Sequence, residues 1–163
     1  MIETIEYRPI GVVHSPFKTP EGAPIQPPGG EDAEATVEIY PDYAEGLTDL
    51  DGFSHIILLY HCHRAGTPSL MATPFLDNAP HGLFATRAPA RPNPIGLSIV
   101  RLTSAADGIL YIKEVDILDG APVLDIKPYV PAFDLRESVR IGWMERRTGK
   151  MAAARDDGRF AAD

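Results

Sequence analysis

The stretch Asp116-Ile-Leu-Asp-Gly-Ala-Pro-Val-Leu-Asp-Ile-Lys-Pro-Tyr129 decides the fold class. It reads as strand, tight turn, strand. Gly120 accepts a positive φ without steric cost, so the Asp119-Gly120 pair suits a turn. Beyond it, polar and apolar residues alternate, which puts Asp125, Lys127 and Tyr129 on one face of an extended strand. Such a face can form a site or simply a solvated Asp–Lys pair. The same period extends outward from this stretch. Residues 7–13, 35–40, 55–63, 95–102, 110–113 and 123–126 are short runs rich in Val, Ile, Leu and Tyr, bounded by Gly, Pro and Asp. Sixteen prolines and 14 glycines leave little room for long helices. The helical candidates are residues 42–50 and 144–154. The expectation is an all-β protein, a small β-barrel with short helical additions. Residues 1–147 are expected to form one domain, with residues 148–163 a frayed tail.

The most distinctive segment precedes the strand at 95–102. His81-Gly-Leu-Phe-Ala-Thr-Arg-Ala-Pro-Ala-Arg-Pro-Asn-Pro-Ile-Gly-Leu-Ser98 packs Arg87, Arg91, Asn93 and three prolines into one loop. Each proline fixes its own φ and biases the residue before it towards extended backbone. A loop stiffened in this way has less entropy to lose when its polar groups gather around a ligand. A plain Pro-rich connection with solvated arginines is the structural alternative.

At 163 residues the chain can bury a real core without disulfides. Hydrophobic residues make up 44% and charged residues 23%, with no apolar run long enough to span a bilayer. The start, Met1 to Glu6, lacks the pattern of a secretory signal. Cys62 is the single cysteine, which fits a reducing compartment, and the cytoplasm is expected. The formal net charge of −8 argues against a polyanionic partner until its distribution is considered. Glu31, Asp32, Glu34, Glu38, Asp42, Glu45, Asp49 and Asp51 occur in a segment without Lys or Arg and account for the whole imbalance. Residues 84–102 carry Arg87, Arg91 and Arg101 and no acid. A local cationic site on an acidic protein is therefore expected, with any nucleic-acid binding salt-sensitive or helped by a second subunit.

Four ordered segments resemble the TsaA-like (TrmO) family: Ile10-Gly-Val-Val-His-Ser-Pro-Phe17, Leu50-Asp-Gly-Phe-Ser-His-Ile56, the proline-rich loop, and residues 116–129. The resemblance runs from about Tyr7 to Asp134. It implies a β-barrel, homodimeric enzyme that uses S-adenosylmethionine to methylate N6 of threonylcarbamoyladenosine at position 37 of tRNA. By the same resemblance, Phe84, Arg87, Arg91, Pro92, Asn93, His63, Leu118, Asp119, Gly120 and Ala121 contact the cofactor. Family members usually have Thr where this chain has Ala121. Arg87, Lys127 and Tyr129 are the candidates for the substrate, since guanidinium and ammonium groups suit its carboxylate. Tyr129, Asp125 and Arg91 are the catalytic candidates, and His63 is a third group able to accept a proton. Many bacterial members carry a further C-terminal domain, which this sequence is expected to lack.

Two other readings stay open on the residues. The same methyltransferase chemistry can serve a small-molecule or protein acceptor. Alternatively, His55, His61 and His63 share parity along one strand, so a non-catalytic, metal-binding β-barrel is conceivable; the ligand set is incomplete, and no metal is expected.

Overall fold

The computed structural model describes residues 3–163. Met1 and Ile2, part of the expected first domain and of the start read as lacking a signal, lie outside the described residues. Among the described residues eight strands form: β1 (Gly11–His14), β2 (Glu34–Ile39), β3 (His55–His61), β4 (Met71–Ala72), β5 (His81–Gly82), β6 (Ile95–Ala106), β7 (Ile109–Lys113) and β8 (Pro122–Pro128). Six of them close a barrel in the order β1-β2-β7-β6-β3-β8, and β4 pairs with β5 outside it. All barrel pairings are antiparallel. The expected all-β barrel is what forms.

Alternation along the strands explains the core. Val13, Val37, Ile56, Leu58, Val100, Leu110 and Val123 are fully enclosed. Each such side chain contributes roughly 2 kcal/mol when removed from water. Asp107 and Gly108, with φ of 53° and 77°, turn β6 directly into β7, the left-handed pair that a two-residue hairpin requires. β6 extends further than its sequence pattern indicated because a register irregularity between Leu102 and Ser104 absorbs the break in alternation.

Three local expectations are corrected. First, residues 116–118 are not a strand: β8 pairs with β1 and β3, while Val115 and Ile117 are buried among the core residues. The turn itself is present, closed by the Ala121 amide donating to the Leu118 carbonyl at 3.3 Å, with Gly120 at φ 80°. Second, the helical candidates are broken 3₁₀ turns at Pro41–Leu47, Leu50–Gly52, Gly142–Met144 and Thr148–Lys150. The one α-helical turn among the described residues, α1 (Pro131–Asp134), starts on a proline three residues after the Pro128 that ends β8. Third, residues 148–163 are held rather than frayed. Phe160 packs against Ala72, Leu83 and Ala88 and meets Phe75 edge-on at 5.1 Å. Ala161 bridges to Ala65, and Arg155 to Pro24. The polar composition concealed a single aromatic anchor.

Candidate functional site at one end of the barrel

β3 ends where β6 begins, since His61 pairs with Ile95, and the Cys62 amide donates to the Pro94 carbonyl at 2.7 Å. The proline-rich loop is thereby fixed to the same barrel rim as residues 61–63. The 118–121 turn reaches this rim as well: a Cβ at Gly120 would lie 3.6 Å from Nε2 of His63. Arg87, Arg91, Pro92, Asn93 and Phe84 thus share one end of the barrel with His63 and the turn.

Inside the loop, Arg91 acts first as a clamp. Its Nη1 donates to the carbonyls of Thr86 at 2.9 Å and Ala88 at 3.1 Å, and its guanidinium lies 5.9 Å from the centre of the Phe84 ring. Phe84 is 78% exposed, an unusual position for an aromatic ring in a rigid loop. Arg87 is also exposed, and its Nη1 donates to Oε1 of Gln26 at 2.9 Å. From behind, Trp143 stacks on His81 at 4.6 Å and its indole N–H donates to the Ala85 carbonyl at 2.8 Å. The C-terminal segment therefore braces the loop.

The turn is built from within. The Asp119 amide donates to the Phe17 carbonyl and the Gly120 amide to the Val13 carbonyl, both at 2.8 Å. These amides face the protein and are not free for a ligand. Asp119 itself accepts from the Ser15 amide at 3.0 Å and pairs with Lys18 at 2.9 Å, and these contacts hold its carboxyl below the usual carboxylate range. His63 is shifted below the ordinary imidazole range, mainly by burial and then by Arg64 and His61, so its ring is neutral at physiological pH.

Asp125, Lys127 and Tyr129 do lie on one face, but it is the outer face of the barrel. Asp125 pairs in register with Leu59 and Lys127 with Ile57. Lys127 Nζ meets Asp125 at 2.9 Å, and Tyr129 packs edge-on to His55, with ring centres 6.3 Å apart. His55 and His61 are separated along β3 by about 20 Å of extended chain, so Tyr129 stands at the opposite end of the barrel from the Arg91 rim. Within one chain, the expected catalytic set is divided. Among the described residues no group of three or more His, Cys, Asp or Glu side chains is arranged to hold a metal. Two shallow grooves, one of about 350 Å³ lined by His14, Thr36, Tyr111 and Lys113 and one of about 400 Å³ beside Gly66 and Ala161, lie outside the rim residues.

Sequence reasoning missed the polar network beneath the rim. Tyr60 hydroxyl donates to Ser98 Oγ at 3.1 Å, which in turn donates to Asp116 Oδ1 at 2.6 Å. Gly96 makes room for it, since a Cβ there would lie 2.4 Å from the Tyr60 ring. Crowding by protein atoms pushes the Asp116 carboxyl up to about 6, against the donated bond from Ser98 and the nearby Arg87. The same crowding, with Asp116, raises the Cys62 thiol to about 11. The signal was present: Ser98 occupies an inward position between Gly96 and Val100, and a buried hydroxyl needs a partner.

Fold and rim together define a small closed antiparallel barrel with a rigid, cationic loop across one end. Residues 12–135 match the family model described as the tRNA-methyltransferase O N-terminal domain, and the chain belongs to that family. A Pyrococcus abyssi protein described as "Probable S-adenosyl-L-methionine-binding protein" is 60% identical, over 94% of this chain and 84% of its own. The human tRNA (adenine(37)-N6)-methyltransferase is 36% identical over 80% of this chain and 31% of its own. The crystal structure of TrmO from Pseudomonas aeruginosa superposes with a TM-score of 0.73 at 39% identity, covering 86% of this chain and 63% of that one. The chain thus spans less than two thirds of the solved structure and about a third of the human relative.

Proposed function

We propose that this protein is an S-adenosylmethionine-dependent methyltransferase acting on N6 of threonylcarbamoyladenosine at position 37 of tRNA, in the cytoplasm. The observation that carries this reading is the meeting of the arginine loop, His63 and the 118–121 turn at one barrel rim, in a family whose relatives include an S-adenosyl-L-methionine-binding protein and a tRNA (adenine(37)-N6)-methyltransferase. The residues present suit the cofactor. Arg87 offers a planar fork for a carboxylate, the exposed Phe84 ring offers a stacking face for an adenine, Asn93 supplies an amide, and neutral His63 lies against Gly120. Leu118, Asp119 and Ala121 form the wall behind, and Pro92 stiffens the approach. Ala121 is 1% exposed, so the hydroxyl of the Thr usual in the family would be enclosed there, and its loss removes one hydrogen bond worth on the order of 1 kcal/mol. When bound, S-adenosylmethionine supplies a methyl group on a sulfonium for direct displacement.

The chain's own work is orientation and exclusion of water. Arg91 keeps the loop in shape, and with the Arg87 fork on the cofactor the threonyl carboxylate of the substrate is left to Lys127. Lys127, Tyr129 and Asp125 serve the same substrate only as part of a homodimer whose second copy brings that outer face to the rim. The apolar outer surface of β3 and β6 supports such pairing: Ile95 and Leu97 are 43% and 47% exposed, beside the half-buried Ile57, Leu59 and Ile99. No helix among the described residues is long and apolar enough to cross a membrane. Calorimetric titration with S-adenosylmethionine tests the site. Binding that Arg87→Ala weakens at least tenfold supports the reading, and absence of binding removes it.

A further inference from the structure

Tyr129 and Asp125 lie on the outer wall, so at the rim the proton-accepting role falls to His63 or to a further group. Asp116 is the group placed to fill that role. It lies on the segment that leads into the 118–121 turn, and Ser98 fixes one of its oxygens at 2.6 Å. Tyr60 in turn donates to Ser98. This chain of hydroxyls runs in one direction only. Ser98 gives its proton to Asp116, so Tyr60 must donate to Ser98, and the carboxylate is the terminal acceptor. No Lys or Arg side chain forms an ion pair with it among the described residues, whereas Asp77, Asp119, Asp125 and Asp157 are all paired. A crowded carboxylate without an ion-pair partner is costly, and perturbed groups of this kind cluster at functional sites.

Its surroundings are specific. From β3 and the turn after it come Tyr60 and Cys62, from β6 comes Ser98, and from the proline-rich loop the charges of Arg87 and Arg91 reach the cluster. Cys62 keeps its proton because burial and the Asp116 charge both raise it. Tyr60 is raised well above the ordinary phenol range by burial and by Asp116. Neither competes as a base. Asp116 is half-buried rather than sealed, and the Arg87 charge from the rim loop reaches it.

We propose that Asp116, oriented by Ser98 and Tyr60, accepts the proton released from the acceptor nitrogen during methylation. This rests on the function proposed above. As the nitrogen gains its carbon bond, its N–H bond breaks. The electron pair of that bond stays on nitrogen and the proton passes to the carboxylate, which becomes a neutral carboxylic acid. The leaving thioether keeps the electron pair of the broken sulfur–carbon bond, so charge and atoms balance. Arg87 and the carboxylate then have opposite tasks at one rim: the guanidinium binds an anion, and Asp116 receives a proton.

The experiment compares wild-type protein, Asp116→Asn and Ser98→Ala. Three readouts are taken: single-turnover methyl transfer to modified tRNA from pH 5 to 9, S-adenosylmethionine affinity by calorimetry, and titration of the Asp116 carboxyl carbon by NMR in the free protein. The expected result is an acid limb in the wild-type rate that matches the NMR midpoint near pH 6. In Asp116→Asn the rate falls by about 10²- to 10⁴-fold and loses that limb, with cofactor affinity within threefold of wild type. Ser98→Ala moves both the limb and the NMR midpoint upward and regains the wild-type rate at pH 9. If Asp116→Asn does not fold, Ser98→Ala carries the test, since a merely structural serine would lower the rate equally at every pH. A near-wild-type rate in Asp116→Asn, or loss of cofactor binding, overturns the proposal. Absence of transfer by the wild-type protein, with cofactor bound, overturns the tRNA reading and this proposal with it.

Discussion

Replacing Asp116 with Asn should stabilise the protein at neutral pH and leave it unchanged in acid. The carboxyl rises from 3.8 in the unfolded chain to about 6 in the folded one. At 1.36 kcal/mol per pH unit, that difference corresponds to about 3 kcal/mol of destabilisation once the group is fully ionised. Partial exposure of the carboxylate reduces the figure, and we take about 1–2 kcal/mol. The sign follows from proton counts. Between pH 3.8 and about 6 the folded state holds more proton at this site than the unfolded state, so this group's contribution falls as pH rises through that window. Below the window both states are protonated and the contribution is complete; above it the loss is complete. Asn mimics the neutral acid at every pH. For a domain of this size, about 2–4 °C in Tm accompanies each kcal/mol. Thermal unfolding followed by circular dichroism should therefore show Asp116→Asn about 2–8 °C above wild type at pH 8 and level with it at pH 3.5. A variant that melts below wild type at pH 8 while matching it at pH 3.5 would refute the reasoning, because it would show the charge to be stabilised by partners.

Arg91→Ala leaves the Thr86 and Ala88 carbonyls without their donor; a loss of about 1–3 kcal/mol in thermal stability is expected, together with at least tenfold weaker S-adenosylmethionine binding by calorimetry. Arg91→Lys should restore little of either, because a point ammonium cannot serve two diverging carbonyls as a fork does. Trp143→Ala removes the brace on Ala85 and His81, so amide hydrogen exchange in residues 83–91 should accelerate while that of β3 and β6 stays slow; unchanged protection in the loop would contradict the bracing role. Gly120→Ala forces an L side chain into φ 80° at a cost of about 1–2 kcal/mol and narrows the gap to His63, so both Tm and cofactor affinity should fall.

The barrel was legible because its strands state their period locally. Ile56 and Leu58 alternate with half-buried Ile57 and Leu59, and that pattern survives any choice of partner strand. The loop was legible because Pro89, Pro92 and Pro94 stiffen their neighbours regardless of context. What resisted reading was everything set by tertiary contact. Residues 116–118 look like a strand, yet Ile117 turns into the core and its carbonyl accepts from the buried Ser15 hydroxyl at 2.6 Å. The tail looks unstructured because Phe160 is its one aromatic anchor and its other ties are backbone bridges, neither of which carries a period. Asp125, Lys127 and Tyr129 were correctly grouped by parity, but parity names a face without saying which end of the barrel it occupies. Asp116 opens the 116–129 segment, yet only its Ser98 and Tyr60 partners, distant in sequence, distinguish it from a solvated carboxylate.

The central claim is methyl transfer to a modified tRNA at the rim. The most direct measurement is the transfer of labelled methyl from S-adenosylmethionine to tRNA with and without the threonylcarbamoyl group, using wild-type protein and Arg87→Ala. The account predicts label only in the threonylcarbamoylated tRNA and at least tenfold less with Arg87→Ala. Equal labelling of both tRNAs, or none of either by a protein that binds the cofactor, would contradict it.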